Sequence, residues 1–112
     1  MSRLRVLDDI VRLGSEVNAL CQDIAQHDKE LASQIRRAWV RTGMNCGEAQ
    51  YRRGAKGKNR FDDAMGEARE AFTGLGMAQA FDYVDATRCE PLRHEVDRVV
   101  GALYVLANKR KR

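Results

Sequence analysis

Positively charged side chains are concentrated in one segment of this sequence. Residues 36–60 contain eight lysines or arginines and one acid, Glu48, whereas the rest of the chain is net acidic. The eight residues are Arg36, Arg37, Arg41, Arg52, Arg53, Lys56, Lys58 and Arg60. Lysine and arginine neutralise phosphates and release the counterions condensed on them, so a local excess of positive charge favours binding to a polyanion. The chemistry that this segment predicts is phosphate contact.

Residue types suited to catalysis or metal binding lack the spacing that such sites need. His27 and His94 do not fall in the Glu-x-x-His pattern of di-iron bundles, and no GxxxxGK[ST], GxGxxG or HExxH motif occurs. Cys21, Cys46 and Cys89 are far apart and odd in number, which argues against a disulfide framework and a zinc site. Cys21 and Cys46 lie on apolar stripes, which predicts packing thiols with a raised pKa. We therefore expect a protein that is not an enzyme, with no catalytic residue, metal or cofactor, in a reducing cytoplasm.

Length and composition indicate how the chain is organised. Its 112 residues, 44% hydrophobic and 32% charged, fit one soluble domain spanning residues 1–112 with a short basic tail at 109–112. The first residues contain no continuous apolar segment, and nowhere do about 18 apolar residues follow one another. We therefore expect neither export nor a membrane span.

Apolar residues recur every three or four positions along most of the chain, a pattern typical of amphipathic α-helices. We predict helices at residues 3–26, 29–53, 59–81 and 88–109. Their connections are short, which predicts an all-α, antiparallel up-down-up-down four-helix bundle. The predicted common core contains Leu31, Ile35, Ala38, Cys46, Phe61, Ala68, Phe72, Val96, Val99 and Leu103.

Capping residues support these boundaries. Asp28 is the predicted N-cap of the second helix and Asn59 that of the third, and Thr87 with Glu90 suits a capping box at the fourth. Residues 54–57 are the predicted loop between the second and third helices, because glycine can end a helix in a left-handed conformation.

Part of the sequence also carries the pattern of a known family. The matching residues are Ser33, Gln34, Ile35, Arg36, Arg37, Ala38, Val40, Asn45, Glu48, Arg52, Phe61 and Ala68. Over residues 31–78 the chain resembles the four-helix-bundle proteins encoded in intervening sequences of bacterial 23S ribosomal RNA genes. It differs from that family at Trp39, Gly43, Glu70 and Ala71.

The resemblance implies properties that the residues alone do not establish. It implies a four-helix bundle and, from some relatives, a homo-oligomeric ring, often a pentamer. A related branch is similar to the accessory variability determinants of diversity-generating retroelements, which are basic bundles that bind nucleic acid and a reverse transcriptase. The implied partners are thus RNA or DNA and a reverse transcriptase or another protein, although the biochemical role of most of the family is unknown.

The bundle topology gathers cations at one end. The start of the first helix, with Arg3 and Arg5, the end of the second, the start of the third and the end of the fourth meet there. The predicted nucleic-acid-binding residues, which we call the basic pole, are Arg52, Arg53, Lys56, Lys58, Arg60, Lys109, Arg110, Lys111 and Arg112. The opposite end, the acidic pole, carries Asp23, Asp28, Glu30, Asp82, Asp85 and Glu90. The alternative is that the cations only complement helix dipoles or lie in a solvated tail.

A polar stripe is predicted on the second helix. Arg37, Arg41, Asn45 and Glu48 follow at helical steps and continue to Arg52, which is four residues after Glu48 and can pair with it. A structural network is the favoured interpretation, and ligand contact is the alternative.

A second pattern on the same helix suggests self-association. Gly43 and Gly47 lie four residues apart on one face, with Trp39 one turn before them. Glycine allows another backbone to approach, and aromatic residues often anchor interfaces. We favour an interface between subunits at these three residues over close packing within one bundle.

These patterns lead to two functional hypotheses. The first is a homo-oligomeric bundle that binds nucleic acid, especially RNA, through its basic pole, as an accessory to a ribonucleoprotein or retroelement process. The second is an assembly or scaffold protein that binds an acidic protein partner and has no role with nucleic acid.

Overall fold

Four antiparallel helices form the structure, a computed structural model that describes residues 3–109. They are α1 (Arg3–Ala25), α2 (Lys29–Gln50), α3 (Gly54–Ala80) and α4 (Ala86–Lys109). Each helix packs against the next in sequence, and α4 also contacts α1. This arrangement confirms the predicted all-α, up-down-up-down bundle, which extends 44 × 22 × 19 Å. None of the helices in the described range is long and apolar enough to cross a membrane.

The start of α2 agrees with the sequence, whereas its end and the start of α3 do not. Asp28 caps α2, because its Oδ1 accepts a hydrogen bond of 2.9 Å from the backbone N–H of Leu31. The helix ends at Gln50, three residues before the predicted position, and α3 begins at Gly54. The predicted loop at residues 54–57 is therefore helical, and Asn59 lies inside α3, where it caps nothing.

The early start of α3 involves a left-handed glycine and a short connection. Gly54 has a φ of +61°, as expected of a glycine near a helix end, but it stands at the entry to α3. The connection from Tyr51 to Arg53 already reverses the chain, so α3 can begin at once. Gly57 is buried, which ties this first turn to the bundle. Lys56 and Lys58 are consequently held on a helix.

The start of α4 also differs from the prediction. The helix begins at Ala86, and the carbonyl of Asp85 accepts from the backbone N–H of Cys89 at 2.9 Å. Thr87 lies within the first turn, so the predicted capping box is wrong. Glu90 instead accepts a bond of 2.9 Å from Gln79 of α3.

The core combines a face of small residues on α3 with larger side chains from the other helices. Ala64, Ala68, Ala71 and Ala78 of α3 are fully buried. The largest fully buried side chains include Leu13, Ile24, Ile35, Phe61, Leu75 and Leu103. Of the predicted core residues, only Leu31 and Phe72 are partly buried. Small residues on α3 allow its backbone to lie close to both neighbouring helices.

Phe72 lies at the edge of the core. Its ring packs under the guanidinium of Arg93, whose carbon lies 3.9 Å from the ring centroid, and the Arg93 Nε donates to the Phe72 carbonyl at 3.1 Å. This cation–π contact covers the exposed side of the ring.

At Gly74, α3 lies very close to a side chain of α2. A Cβ atom at this position would lie 2.6 Å from Cγ1 of Ile35, which is fully buried. At Gly66, two turns earlier on α3, an added Cβ atom would have no side chain and no other helix within 4 Å. The two glycines thus differ in the space available and share the same intrinsic cost in a helix.

Replacing each of these glycines with alanine tests the close approach. Gly66→Ala should raise the free energy of unfolding by about 1 kcal/mol, because alanine favours the helix. Gly74→Ala should lower it by about 1–3 kcal/mol, because the new methyl group overpacks against Ile35. Urea unfolding measures both changes. Equal stabilisation by the two substitutions would show that α2 and α3 are not packed this closely.

Candidate nucleic-acid interface

The turn between α2 and α3 presents the exposed part of the basic pole. Tyr51 is 85% exposed, and Arg52 and Arg53 follow it on the surface. Arg53 has the extended backbone of an N-cap, with φ −120° and ψ 159°, but its side chain makes no capping hydrogen bond. The first turn of α3 contains no acid and carries Lys56. This helix start therefore has neither a side-chain acceptor at its N-cap nor a carboxylate in its first turn.

Two cations of the basic pole are paired along their own helices. Arg52 donates to Oε1 of Glu48 through Nε at 3.1 Å and Nη2 at 2.7 Å. The hydrogen bond from Arg52, together with its charge, lowers the pKa of Glu48. Lys58 forms an ion pair with Asp62, one turn further along α3. Exposed pairs of this kind contribute about 0–1 kcal/mol, so a phosphate can compete for the same cations.

The remaining cations of this turn face the surface. The Nη1 of Arg60 donates to Oδ1 of Asn45 at 3.1 Å, which links α3 to α2. Arg53 and Lys56 are exposed and form no ion pair within residues 3–109. A depression of about 360 Å³ lies between these groups. Its lining residues are Arg52, Lys56, Asn59, Arg60 and Asp63.

The sequence prediction missed Asn59 and Asp63 as members of this surface. The sequence predicts Asn59 as a cap and gives no reason to single out Asp63. Both lie on the same face as Lys56, three and seven residues after it, but that helical spacing becomes visible only once α3 begins at Gly54. The depression contains three cations and one acid, and its polar groups can donate to an anion.

The tail of the basic pole is only partly described. Lys109 is exposed at the last residue of α4. Arg110, Lys111 and Arg112 lie outside the described residues.

The predicted polar stripe divides into different contacts. Asn45 and Glu48 accept bonds from two arginines of the basic pole, as described above, and so belong to a structural network. The charge of Arg41 acts on Glu67 of α3. Arg37 is exposed and makes no hydrogen bond or ion pair within the described part of the chain.

Glu67 is a partly buried acid on α3, close to this region. Its Oε1 is buried without a hydrogen-bond partner. Burial, followed by the nearby Glu70, raises the pKa of Glu67, and Arg41 only partly opposes this. A raised pKa in the folded state means that ionisation of Glu67 costs stability as the pH rises through that pKa.

Glu67→Gln should therefore raise the melting temperature at pH 7. The gain should disappear below about pH 4, where the carboxyl group is protonated in both the folded and unfolded chains. Thermal unfolding of both proteins at several pH values measures this gain in melting temperature. Glu16→Gln, at an exposed position of α1, removes the same charge and is the control. An equal gain from both variants at pH 7 would attribute the effect to net charge and not to the surroundings of Glu67.

Of the three predicted interface residues, Trp39 packs within one chain, and the interface role of Gly43 and Gly47 stays a prediction. Trp39 is only 5% exposed, and its Nε1 donates to the Ile10 carbonyl of α1 at 3.0 Å. A Cβ atom at Gly43 would lie 3.4 Å from Ile10, and one at Gly47 would lie 4.0 Å from Leu7. Trp39 is thus wrong as an anchor for a second subunit, because its ring and its polar atom are both satisfied by α1.

Three exposed apolar residues near these glycines were not predicted. Val11 is 70% exposed, Val40 58% and Met44 71%. Val40 and Met44 follow Arg36 at steps of four residues, so helical spacing alone places them on one side of α2. Whether Val11 of α1 lies beside them depends on how α1 packs on α2, which the sequence does not give.

Cys21 and Cys46 are buried as predicted, and Cys89 is buried as well. Cys21, Cys46 and Cys89 are free and buried. Burial raises the pKa of all three thiols, that of Cys46 to about 11. Within residues 3–109, no group of three or more His, Cys, Asp or Glu side chains is arranged to hold a metal ion.

Fold and surface together define a small four-helix bundle with a cationic turn at one end. The bundle is similar to the crystal structure of a protein of unknown function from the S23 ribosomal protein family of Bacteroides thetaiotaomicron. The TM-score is 0.83 and the sequence identity 21%, over 91% of this chain and 97% of that chain. At this identity the likeness establishes the shared fold. No family model and no curated protein matches the sequence.

Proposed function

We propose that this protein is a non-catalytic, homo-oligomeric four-helix bundle of the bacterial cytoplasm that binds RNA through the basic pole. The sequence resemblance to proteins of 23S ribosomal RNA intervening sequences, and to accessory determinants of diversity-generating retroelements, supports an RNA partner. It also supports an accessory role beside a reverse transcriptase or another protein. The structural neighbour has no known function, but it comes from a family named for a ribosomal protein, which is compatible with an RNA partner.

The start of α3 is the observation that carries the proposal. Backbone N–H groups at a helix start favour an anion, and cations there oppose the helix dipole. Here Arg53 and Lys56 surround such a start, which lacks both a side-chain cap and an acid in its first turn. A phosphate at this point would accept from the backbone and neutralise the two cations at once. The arrangement is unfavourable for the isolated helix and favourable for a phosphate complex.

An exposed aromatic side chain favours RNA with unpaired bases. Tyr51 is 85% exposed beside Arg52 and contributes nothing to the core. Stacking of a base on such a ring is worth about 1–3 kcal/mol. Phosphate contacts at the start of α3 and stacking on Tyr51 can therefore act on adjacent nucleotides.

Removing the two unpaired cations tests this proposal. The double variant Arg53→Gln/Lys56→Gln should weaken binding to a single-stranded RNA and make its salt dependence shallower. Each lost phosphate contact should reduce the log–log slope by about 0.7. Fluorescence anisotropy at several salt concentrations measures the affinity and the slope.

The matched control is Lys29→Gln/Arg69→Gln, which removes the same charge at exposed positions outside the basic pole. It should change the slope far less. Equal effects of the two double variants would show that only net charge matters. If RNA does not bind at all while an acidic protein does, the alternative hypothesis of a scaffold with an acidic partner replaces this one.

A surface on α1 and α2 supports the homo-oligomeric part of the proposal. Two contacts mark the seam between these helices: Leu7 lies near Gly47, and Asn18 accepts from Arg36 at 3.0 Å. Val11 has the same helical phase as Leu7 and Asn18 on α1.

On α2, Val40 has the same helical phase as Arg36 and Gly47, with Met44 one turn further on. The three exposed side chains therefore flank one seam, beside glycines that leave it shallow. We call this surface the α1–α2 strip. A second copy of the chain would cover it.

Val40→Ser/Met44→Ser should reduce self-association. Light scattering of the wild-type protein at tens of micromolar should give a mass several times 12.7 kDa, and the variant should shift toward 12.7 kDa. Met77→Ser/Val105→Ser removes exposed apolar side chains from α3 and α4 and should leave the mass unchanged. A wild-type mass of 12.7 kDa would contradict the proposed assembly.

A further inference from the structure

A groove between α1 and α4 lies outside the basic pole and has its own cationic lining. It has a volume of about 340 Å³, near the lower end of the range for small-molecule sites. Val6 and Val99 are buried beneath it, and Ala102 is partly buried. The floor of the groove is therefore apolar, while its rim is charged.

Charged side chains from both helices line the groove. Arg5, Asp9 and Arg12 come from α1, and Glu95 and Arg98 come from α4. Arg5 and Arg12 are seven residues apart and so lie on one face of α1, separated by about 10 Å. Three guanidinium groups thus share one concave site with two carboxylates.

The carboxylates of the groove leave the charges of Arg12 and Arg98 largely available. Arg12 approaches Asp9 at 3.5 Å, a loose contact between partly exposed side chains. Arg98 forms no ion pair with any residue in the range 3–109, although Asp9 and Glu95 line the same groove. The guanidinium group of Arg98 is planar and carries five N–H donors, whose geometry matches the oxygens of a phosphate.

We propose that the groove between α1 and α4 binds a phosphate group, held by Arg98 and Arg12. Arginine forms paired hydrogen bonds with phosphate oxygens, which replace the loose contact to Asp9. Glu95 opposes the bound charge and limits the affinity. The phosphate can belong to a free nucleotide or to an RNA backbone that continues from the basic pole, where α1 begins.

Site-resolved NMR titration of the ¹⁵N-labelled protein tests this inference with two probes, adenosine 5′-monophosphate and a single-stranded oligouridine. At least one probe should shift the backbone resonances of Asp9, Glu95 and Arg98. Arg98→Gln should weaken this binding about tenfold or more, since hydrogen bonds to charged groups are lost. Arg37→Gln, which removes an exposed arginine from α2, should leave it unchanged.

Glu95→Gln should tighten binding severalfold, because it removes a negative charge from the groove while keeping the size of the side chain. Opposite signs for Arg98→Gln and Glu95→Gln distinguish a binding site from a general loss of structure. Shifts with the nucleotide alone identify a small-molecule site, and shifts with oligouridine identify an extension of the RNA surface. If oligouridine shifts only the α2–α3 turn and the nucleotide shifts nothing, the groove is not a phosphate site, while RNA binding at the basic pole stands.

Discussion

The close contact between α2 and α3 is the constraint on which the rest of the structure depends. Gly74 leaves no room for a Cβ atom against Ile35, and the buried face of α3 is largely alanine. The two helices stay side by side as far as the turn, where the residues from Tyr51 to Arg53 join them. Near that turn, Arg60 of α3 donates to Asn45 of α2. Packing of α3 against α2 along their length thus brings polar groups together at this end of the bundle.

Electrostatics at that end run against the preferences of an isolated helix. A helix start normally attracts acids, yet α3 begins with cations and has no acid in its first turn. Arg52 and Lys58 are offset by Glu48 and Asp62, whereas Arg53 and Lys56 have no such offset among the described residues. In our account, phosphate supplies the missing negative charge. The groove between α1 and α4 repeats this imbalance on a smaller scale, since Arg98 forms no ion pair within residues 3–109, although two carboxylates line the same groove.

The sequence predicts the bundle well because helical periodicity and short connections leave few other arrangements. Asp28 is correctly identified as a cap, since its side chain needs only a local N–H. Gly54 is predicted to lie in a loop after α2 but stands at the start of α3, because a left-handed glycine fits at either end of a helix. Trp39 is misassigned for a different reason: whether a residue faces α1 or a second subunit depends on packing between helices. The groove of Arg98 is missed for the same reason, since its two sides lie far apart in sequence.

Ultraviolet cross-linking of the wild-type protein to oligouridine, followed by tryptic digestion and mass spectrometry, tests the central claim most directly. The claim is that nucleic acid contacts the α2–α3 turn, where Tyr51 is the most exposed large hydrophobic side chain among the residues whose burial is described. The account predicts cross-links in the peptide of residues 42–52, which contains Tyr51, and their loss at high salt. Cross-links confined to the acidic pole, where Phe81 is also exposed, would contradict it.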